Sequence, residues 1–358
     1  MLTINKFFIK VLYNLILILS LIIFFFSTTK VQAKAFDIDN IEISRPFELD
    51  FDRNNVLDEG FKKAFFELLL LITSSIDQKK IVKLNLNEIK GMIDSFSIKE
   101  EKFIEEVYHV TLGVSFNKKE IFKYLEKKNI FPSIPQKKKF LFIPIIIDEK
   151  NKDLLIFEKN KIFDEWNNYS ESYHLIEYVL PTEDLEDLNL IKQKFDIIEQ
   201  YDFKQIINKY YLDNSIISLI FKNDNEVRVL SRIVEKDNII LTNQSYSNLD
   251  INNKIDAEKL VKNLKSIYED YWRKSNQINT SIKLPIFIKV ENSNNKKISE
   301  FEKTLENSDL IYDYFISKYD KDYVYFEIIF NGEPNFFLKT LSDKNFNFDT
   351  QNKIWILK

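Results

Sequence analysis

Between Tyr108 and Phe116 apolar and polar side chains alternate without a break: Tyr108, Val110, Leu112, Val114 and Phe116 against His109, Thr111, Gly113 and Ser115. A period of two is the mark of a half-buried strand, and it turns His109 toward water. Upstream the period changes. Leu57, Phe61, Ala64, Phe65, Leu68 and Ile72 recur at spacings of three and four, which predicts an amphipathic helix over residues 56–73. With a strand at 36–43, a short helix at 86–93, and a helix over 117–128 capped by Asn117, residues 34–130 read as an N-terminal α+β unit.

Residues 131–139 hold Pro132, Pro135 and the basic run Lys137, Lys138, Lys139, a composition suited to a boundary. Beyond it, residues 140–147 are continuously apolar, as in a central strand covered on both faces, although Pro144 removes one ladder donor. A helix over 154–166, a strand over 173–180 and helices over 183–190 and 203–210 are expected next. Strands at 216–221, 227–234 and 239–246 follow, the last two joined as a hairpin at 235–238. The helix over 256–275 presents Ala257, Leu260, Val261, Leu264, Ile267, Tyr268, Tyr271 and Trp272 on one broad face, closing a middle mixed-sheet α/β unit at 139–275.

A polar stretch at 276–281 is expected to be a hinge. After it, strands at 282–290, 310–317, 323–330 and 346–357 and helices at 298–307 and 334–342 follow the βαββαβ order of a ferredoxin-like C-terminal unit, residues 281–358. Pro334 suits a first helical turn. The whole reads as a multidomain α+β and α/β protein.

Residues 1–33 change the picture of where this architecture works. A start carrying Lys6 and Lys10 precedes the apolar run 11–26, and Val31-Gln32-Ala33 offers a signal peptidase small side chains. Cleavage after Ala33 is the favoured reading. The alternative is an uncleaved helix over about residues 7–26 that anchors the chain in the inner membrane. Either way the remainder is expected in the periplasm of a Gram-negative-type bacterium, with membrane contact only through a retained leader.

Lys6, Lys10 and Lys30 are the charges of that segment, so its removal lowers the 51 basic residues to 48 against 55 acidic ones. That balance disfavours nucleic acid. The chain has no Cys, which removes disulfides, thiolate metal sites and a cysteine nucleophile. Stability must come from packing.

Several segments resemble the proteobacterial envelope family called domain of unknown function 2066. They are Gly60-Phe-Lys-Lys-Ala64 running into Leu68 to Leu71, Tyr108 to Phe116 with Ile121 to Leu125 after it, Pro181-Thr-Glu-Asp-Leu-Glu-Asp187, and Ile206 to Tyr211 leading into the strand at Ile216. The resemblance covers about residues 36–275, with Lys, Asn and Phe standing where relatives carry Ala, Arg and Gly. It implies an envelope location and no particular reaction.

Candidate chemistry is sparse. Asp148 and Glu149 follow one buried strand, and Glu183, Asp184, Glu186 and Asp187 follow another. If those strands are parallel neighbours, the carboxylates meet at their carboxyl ends, where they could hold a divalent cation or supply paired acids for hydrolysis. The structural reading is the stronger one, with Thr182 as a helix cap and acids in the first turn. His109 and His174 lie 65 positions apart, no Gly-x-Ser-x-Gly elbow exists, and Gly60, Gly91, Gly113 and Gly332 stand alone, so no serine hydrolase, histidine-rich metal site or phosphate loop is indicated. No cofactor is expected. The basic run at 137–139 reads as a solvated loop, and Trp166, Trp272 and Trp355 as core residues.

What remains is binding. Tyr312 and Tyr314 with Phe315 on one C-terminal strand, and Tyr323 and Tyr325 with Phe326 on the next, place aromatic rings on both faces of a sheet that helices cover on one face only, so some should be exposed for a protein partner. The sequence therefore favours a non-catalytic binding or envelope-assembly module with envelope proteins as partners. The alternative is a periplasmic hydrolase or cation-binding protein using Asp148, Glu149, Glu183, Asp184 and Asp187. N-terminal sequencing of protein from cells should read Lys34 first, and a chain that retains residues 1–33 would replace cleavage by anchoring.

Overall fold

The computed structural model describes residues 36–358 except 82, 83, 172, 224, 225, 237 and 309. The leader lies outside the described residues.

The N-terminal residues build a three-stranded antiparallel sheet. Strand β1 (Asp37–Pro46) is followed by helix α1 (Arg53–Ile72), a one-turn helix at Ser75–Gln78, α2 (Leu86–Gly91), β2 (Ile93–Ile104), β3 (Val107–Phe116) and α3 (Lys118–Lys127), in sheet order β1-β3-β2. Asp52 starts α1 by accepting from the Asn54 N–H at 2.8 Å, and the apolar face read from the sequence is the face that is buried. Gly60 sits where α1 crosses β3; a Cβ there would run into the buried Leu112 side chain. β2 is a strand that the periodicity did not show. Most of its side chains are exposed, so no alternation marks it.

The middle residues form a six-stranded mixed sheet from β4 (Lys138–Asp148), β5 (Asp153–Leu155), β6 (Ile176–Val179), β7 (Asn214–Lys222), β8 (Glu226–Glu235) and β9 (Asn238–Ser247). β4 is central and buried along nearly its whole length, as its apolar run requires. β7 runs parallel to it on one side. On the other side β6 pairs with residues 138–141 and β5 with 146–148, which leaves Pro144 in the gap between them. The Asn160 side chain fills that gap, donating from Nδ2 to the Pro144 carbonyl at 3.0 Å.

Asn160 also explains why the helix expected over 154–166 does not form. Its Oδ1 accepts from the N–H groups of Ile162 and Phe163 and so begins a new helix, α4 (Lys161–Trp166). Residues before it pair as β5 and turn through a 3-10 segment, Phe157–Lys159. The helices expected at 183–190 and 203–210 are α5 (Leu185–Lys192) and the single turn α6 (Lys204–Ile207) with a 3-10 extension, Asn208–Tyr210. Helix α7 (Lys254–Ser275) covers one face of the sheet together with α4, and α5 and α6 cover the other. Trp166 stacks on Phe142 of β4, ring centroids 3.7 Å apart.

The C-terminal residues supply β10 (Leu284–Glu291), α8 (Asn295–Glu306), β11 (Ile311–Tyr319), β12 (Tyr323–Phe330), α9 (Pro334–Ser342), β13 (Phe348–Asp349) and β14 (Trp355–Leu357). The single strand expected over 346–357 is a short hairpin, and β14 enters the sheet parallel to β10. The sheet therefore has five strands, in the order β11-β12-β10-β14-β13, where the sequence indicated four.

The segment expected to be a hinge is tied down. Ile278 N donates to Pro132 O at 2.8 Å, Ile134 N donates to Asn276 O at 3.0 Å, and Ile278, Thr280 and Ser133 are buried. Across this seam the N-terminal and C-terminal residues share one continuous buried core, whereas residues 140–272 bury two cores of their own, one on each side of β4. Lys118 donates to the Ser308 carbonyl at 2.9 Å and Lys119 pairs with Asp313 at 2.7 Å, fixing α3 against the start of β11.

Replacing Asn160 by Ala should remove both a helix cap and the donor to Pro144, lowering stability by about 2 to 4 kcal/mol in urea unfolding. Asn160→Asp keeps the cap and loses the donor, so it should not restore wild-type stability.

Candidate functional site

The acidic residues singled out from the sequence are not one cluster. β4 and β6 are parallel neighbours, as that reading required, but Val179 at the end of β6 sits opposite Leu141, so Asp148 lies about 23 Å farther along β4 at the usual strand rise. Asp148 closes the β4–β5 turn, accepting from Asn151 N at 2.9 Å and Nδ2 at 3.0 Å, and the Asn151 N–H holds its carboxyl below the usual range against the opposing effect of burial. Glu149 is exposed beside it.

Asp184, and not Thr182, caps α5 through the Glu186 N–H at 2.7 Å; the Thr182 hydroxyl lies 3.2 Å from the Tyr210 hydroxyl instead. Lys209 then bridges Asp184 at 2.9 Å and the buried Asp187 at 2.7 Å. Exposed Glu183 lines, with Asp184, Lys159 and Lys192, an open cleft of about 320 Å³ whose floor is Leu154, Ile156 and Phe157. Among the described residues no group of three His, Asp or Glu is placed to hold a metal ion.

His109 does meet a serine. The register sets Ser44 opposite it, and Ser44 Oγ lies 2.8 Å from Nδ1. The pair sits on the three-stranded sheet where β1 and β3 run in unbroken register from Ile41↔Leu112 to Pro46↔Val107, and no third group completes a Ser-His triad among the described hydrogen bonds.

The four tyrosines divide by face. Tyr312 packs on the shared core beneath Lys283, whose Nζ is 4.5 Å from the ring centre. Tyr314 also packs there and donates to Glu306 at 3.1 Å, its phenol pushed up to about 12 by burial and by that carboxylate. Tyr323 and Tyr325 point the other way, since Val324, Phe326, Ile328 and Phe330 alternate with them into the core. Their rings are 6.4 Å apart, with Lys289 4.1 Å from the centre of Tyr323 and Lys318 5.0 Å from that of Tyr325. Phe315, 48% exposed, faces Glu327 of β12 on the same side.

A group that the sequence reading passed over lies where α7 meets the one-turn helix at Ser75–Gln78. Lys265, Glu269 and Arg273 recur every four residues along α7 and all three are buried. The Glu269 carboxylate accepts from the N–H groups of Leu175 and Ile176 at 2.9 and 3.0 Å, and Arg273 stands 3.6 Å from it. Burial raises the Glu269 pKa, and those N–H groups oppose the rise. Lys265 donates to the Tyr169 carbonyl over the rings of Trp166 and Tyr178, and burial draws its ammonium down to about 8. His174 accepts from Glu171 N at 3.3 Å through Nδ1, and burial, then Lys265 and Arg273, hold it down to about 4. The signal in the sequence was the four-residue charge spacing, which ordinarily denotes a solvated face.

No family model matches the chain. It is similar to the periplasmic chaperone PpiD of Buchnera aphidicola subsp. Schizaphis graminum, 27% identical over 228 residues. That match covers 61% of this chain and 31% of the relative, so the chain spans about a third of that protein's length. No helix of the described residues is long and apolar enough to cross a membrane.

The depressed His174 gives a pH prediction. The unfolded chain takes up this proton near 6.5 and the folded chain only near 4, so stability is lost as pH falls between those values. Urea midpoints measured from pH 7 to 4.5 should fall less steeply for His174→Asn than for wild type. Equal slopes would remove His174 as the cause.

Proposed function

We propose that this chain is a non-catalytic protein-binding module of the bacterial envelope, working outside the inner membrane through apolar strand surface. The leader, the pattern shared with domain of unknown function 2066, and the similarity to a periplasmic chaperone all support the location. Membership of that envelope family is proposed with it. The observation that carries the binding reading is the open face of β12, where Tyr323 and Tyr325 stand beside Phe315 while the opposite face of the same strand is consumed by the core. Tyrosine suits such a surface because it presents a large area at low entropy cost. Lys289 of β10 and Lys318 of β11 lie against the two rings, so the face is mixed aromatic and cationic.

The hydrolase or cation-binding alternative has less to rest on, since its carboxylates are spread apart among the described residues. Asp148, Asp184 and Asp187 are each occupied by a neighbouring donor, and Glu149 and Glu183 are exposed on separate turns.

Purified protein should suppress aggregation of a reduced, chemically unfolded client at near-stoichiometric ratio. Phe315→Ser combined with Tyr323→Ser should weaken suppression by roughly threefold to tenfold, since aromatic anchors dominate such interfaces, with unchanged far-UV circular dichroism. Tyr312→Ala and Tyr314→Ala should instead lower stability. Full suppression by the double variant, or none by wild type, would overturn the reading.

A further inference from the structure

Strand β9 is an outer strand of the six-stranded sheet, pairing only with β8 among the described residues. Every second residue of such a strand turns its N–H and C=O away from its partner, leaving a row of unused donors and acceptors. Folded proteins normally blunt such edges with charge, proline, a bulge or shortness. The other outer strands here do so. β2 carries Asp94, Lys99, Glu100, Glu101 and Lys102 with two register shifts, β1 has one shift and Pro46, β11 has two shifts with Asp313 and Lys318, and β5, β6 and β13 are very short.

β9 uses none of these devices. Asn238–Ser247 contains no charged residue and no proline, and its register against β8 runs unbroken from Glu235↔Asn238 to Glu226↔Ser247. Ile239 and Leu241 are 62% and 63% exposed and share one face, and Ile240 between them is 41% exposed on the other. Beside them the short-helix layer stops short of β9, leaving a cleft of about 510 Å³ of mixed character, in which Ile207, Leu212, Val234 and Ile239 stand among the charged side chains of Asp202, Lys204, Asp213, Arg232 and Lys236.

We infer that β9 is a strand-addition site that takes an extended polypeptide segment with apolar side chains at alternate positions. The open ladder selects an extended backbone, because a helix or a lipid has no free N–H and C=O row to offer. The shared face of Ile239 and Leu241, the more exposed pair of the three apolar residues at 239–241, selects the side chains, with Ile239 at the cleft. This inference rests on the protein-binding reading above and names a second surface and its ligand chemistry.

The test uses a fluorescein-labelled peptide of alternating Val and Thr, titrated against the full chain by anisotropy. Wild type should bind it. A version N-methylated at alternate amides, which cannot donate to the ladder, should bind about tenfold more weakly, and so should the unmodified peptide to Leu241→Lys or Ile239→Lys. Both positions are exposed, and urea midpoints check that the variants fold. Equal affinity for the two peptides would overturn strand addition in favour of a simple apolar patch. So would a wild-type dimer in sedimentation velocity that Leu241→Lys dissolves, because a second copy would then be the occupant. Wild type that suppresses client aggregation yet ignores the peptide sinks this inference alone. Failure in both assays sinks the binding reading with it.

Discussion

Where residues 132–134 meet residues 276–278, a few backbone hydrogen bonds determine how everything else is arranged. The chain leaves its first sheet at this seam, builds the six-stranded unit, and returns through the same place to build the last sheet. Because exit and return are zipped together, the sheets at either end of the chain lie against one core, and the middle unit is an insertion between its two halves. Neither half of that core is complete without the other. Apolar burial of about 25 cal/mol per Å² therefore stabilises a pairing of distant segments as much as either sheet.

The middle unit has its own organising element in β4. A strand covered on both faces must be apolar throughout and must still satisfy its backbone, and Pro144 breaks the second condition in the least costly place, between the ends of two partner strands. Asn160 completes the accounting. On the α7 side, charge is buried as well as hydrocarbon. Two N–H groups and Arg273 point at Glu269 there, and a carboxyl so held fixes the entry into β6.

Strongly periodic elements were legible in the sequence: β3, α1, α3, α7 and the β8–β9 hairpin formed close to where their patterns placed them. β2 was not, because an outer strand wet on most positions carries no alternation to read. The break at Asn160 was invisible for a different reason, since Leu154, Phe157 and Ile162 fit a helical pattern and only the tertiary gap at Pro144 reveals what the asparagine is for. The tyrosines show the limit for sites. Their positions in β11 and β12 were clear, but the register shifts in β11 decide that Tyr312 and Tyr314 turn to the core, and a bulge leaves little trace in one sequence. The shared core was also unreadable, because an apolar face does not encode which other face will cover it.

The insertion has a consequence in time. A chain made from its amino end delivers residues 36–130 long before residues 284–357, and at synthesis rates of roughly 5 to 20 residues per second the wait is on the order of ten to forty seconds. During that wait half of a core is finished and uncovered. Closing it directly would mean joining ends separated by a loop of roughly 150 residues, an entropic cost that grows with loop length. Folding of the six-stranded unit shortens that search, because it brings Ser133 and Gln277 side by side and reduces a long loop to a few residues. A middle unit that is already folded is thus a splint for the segments that flank it, since their ends then start side by side.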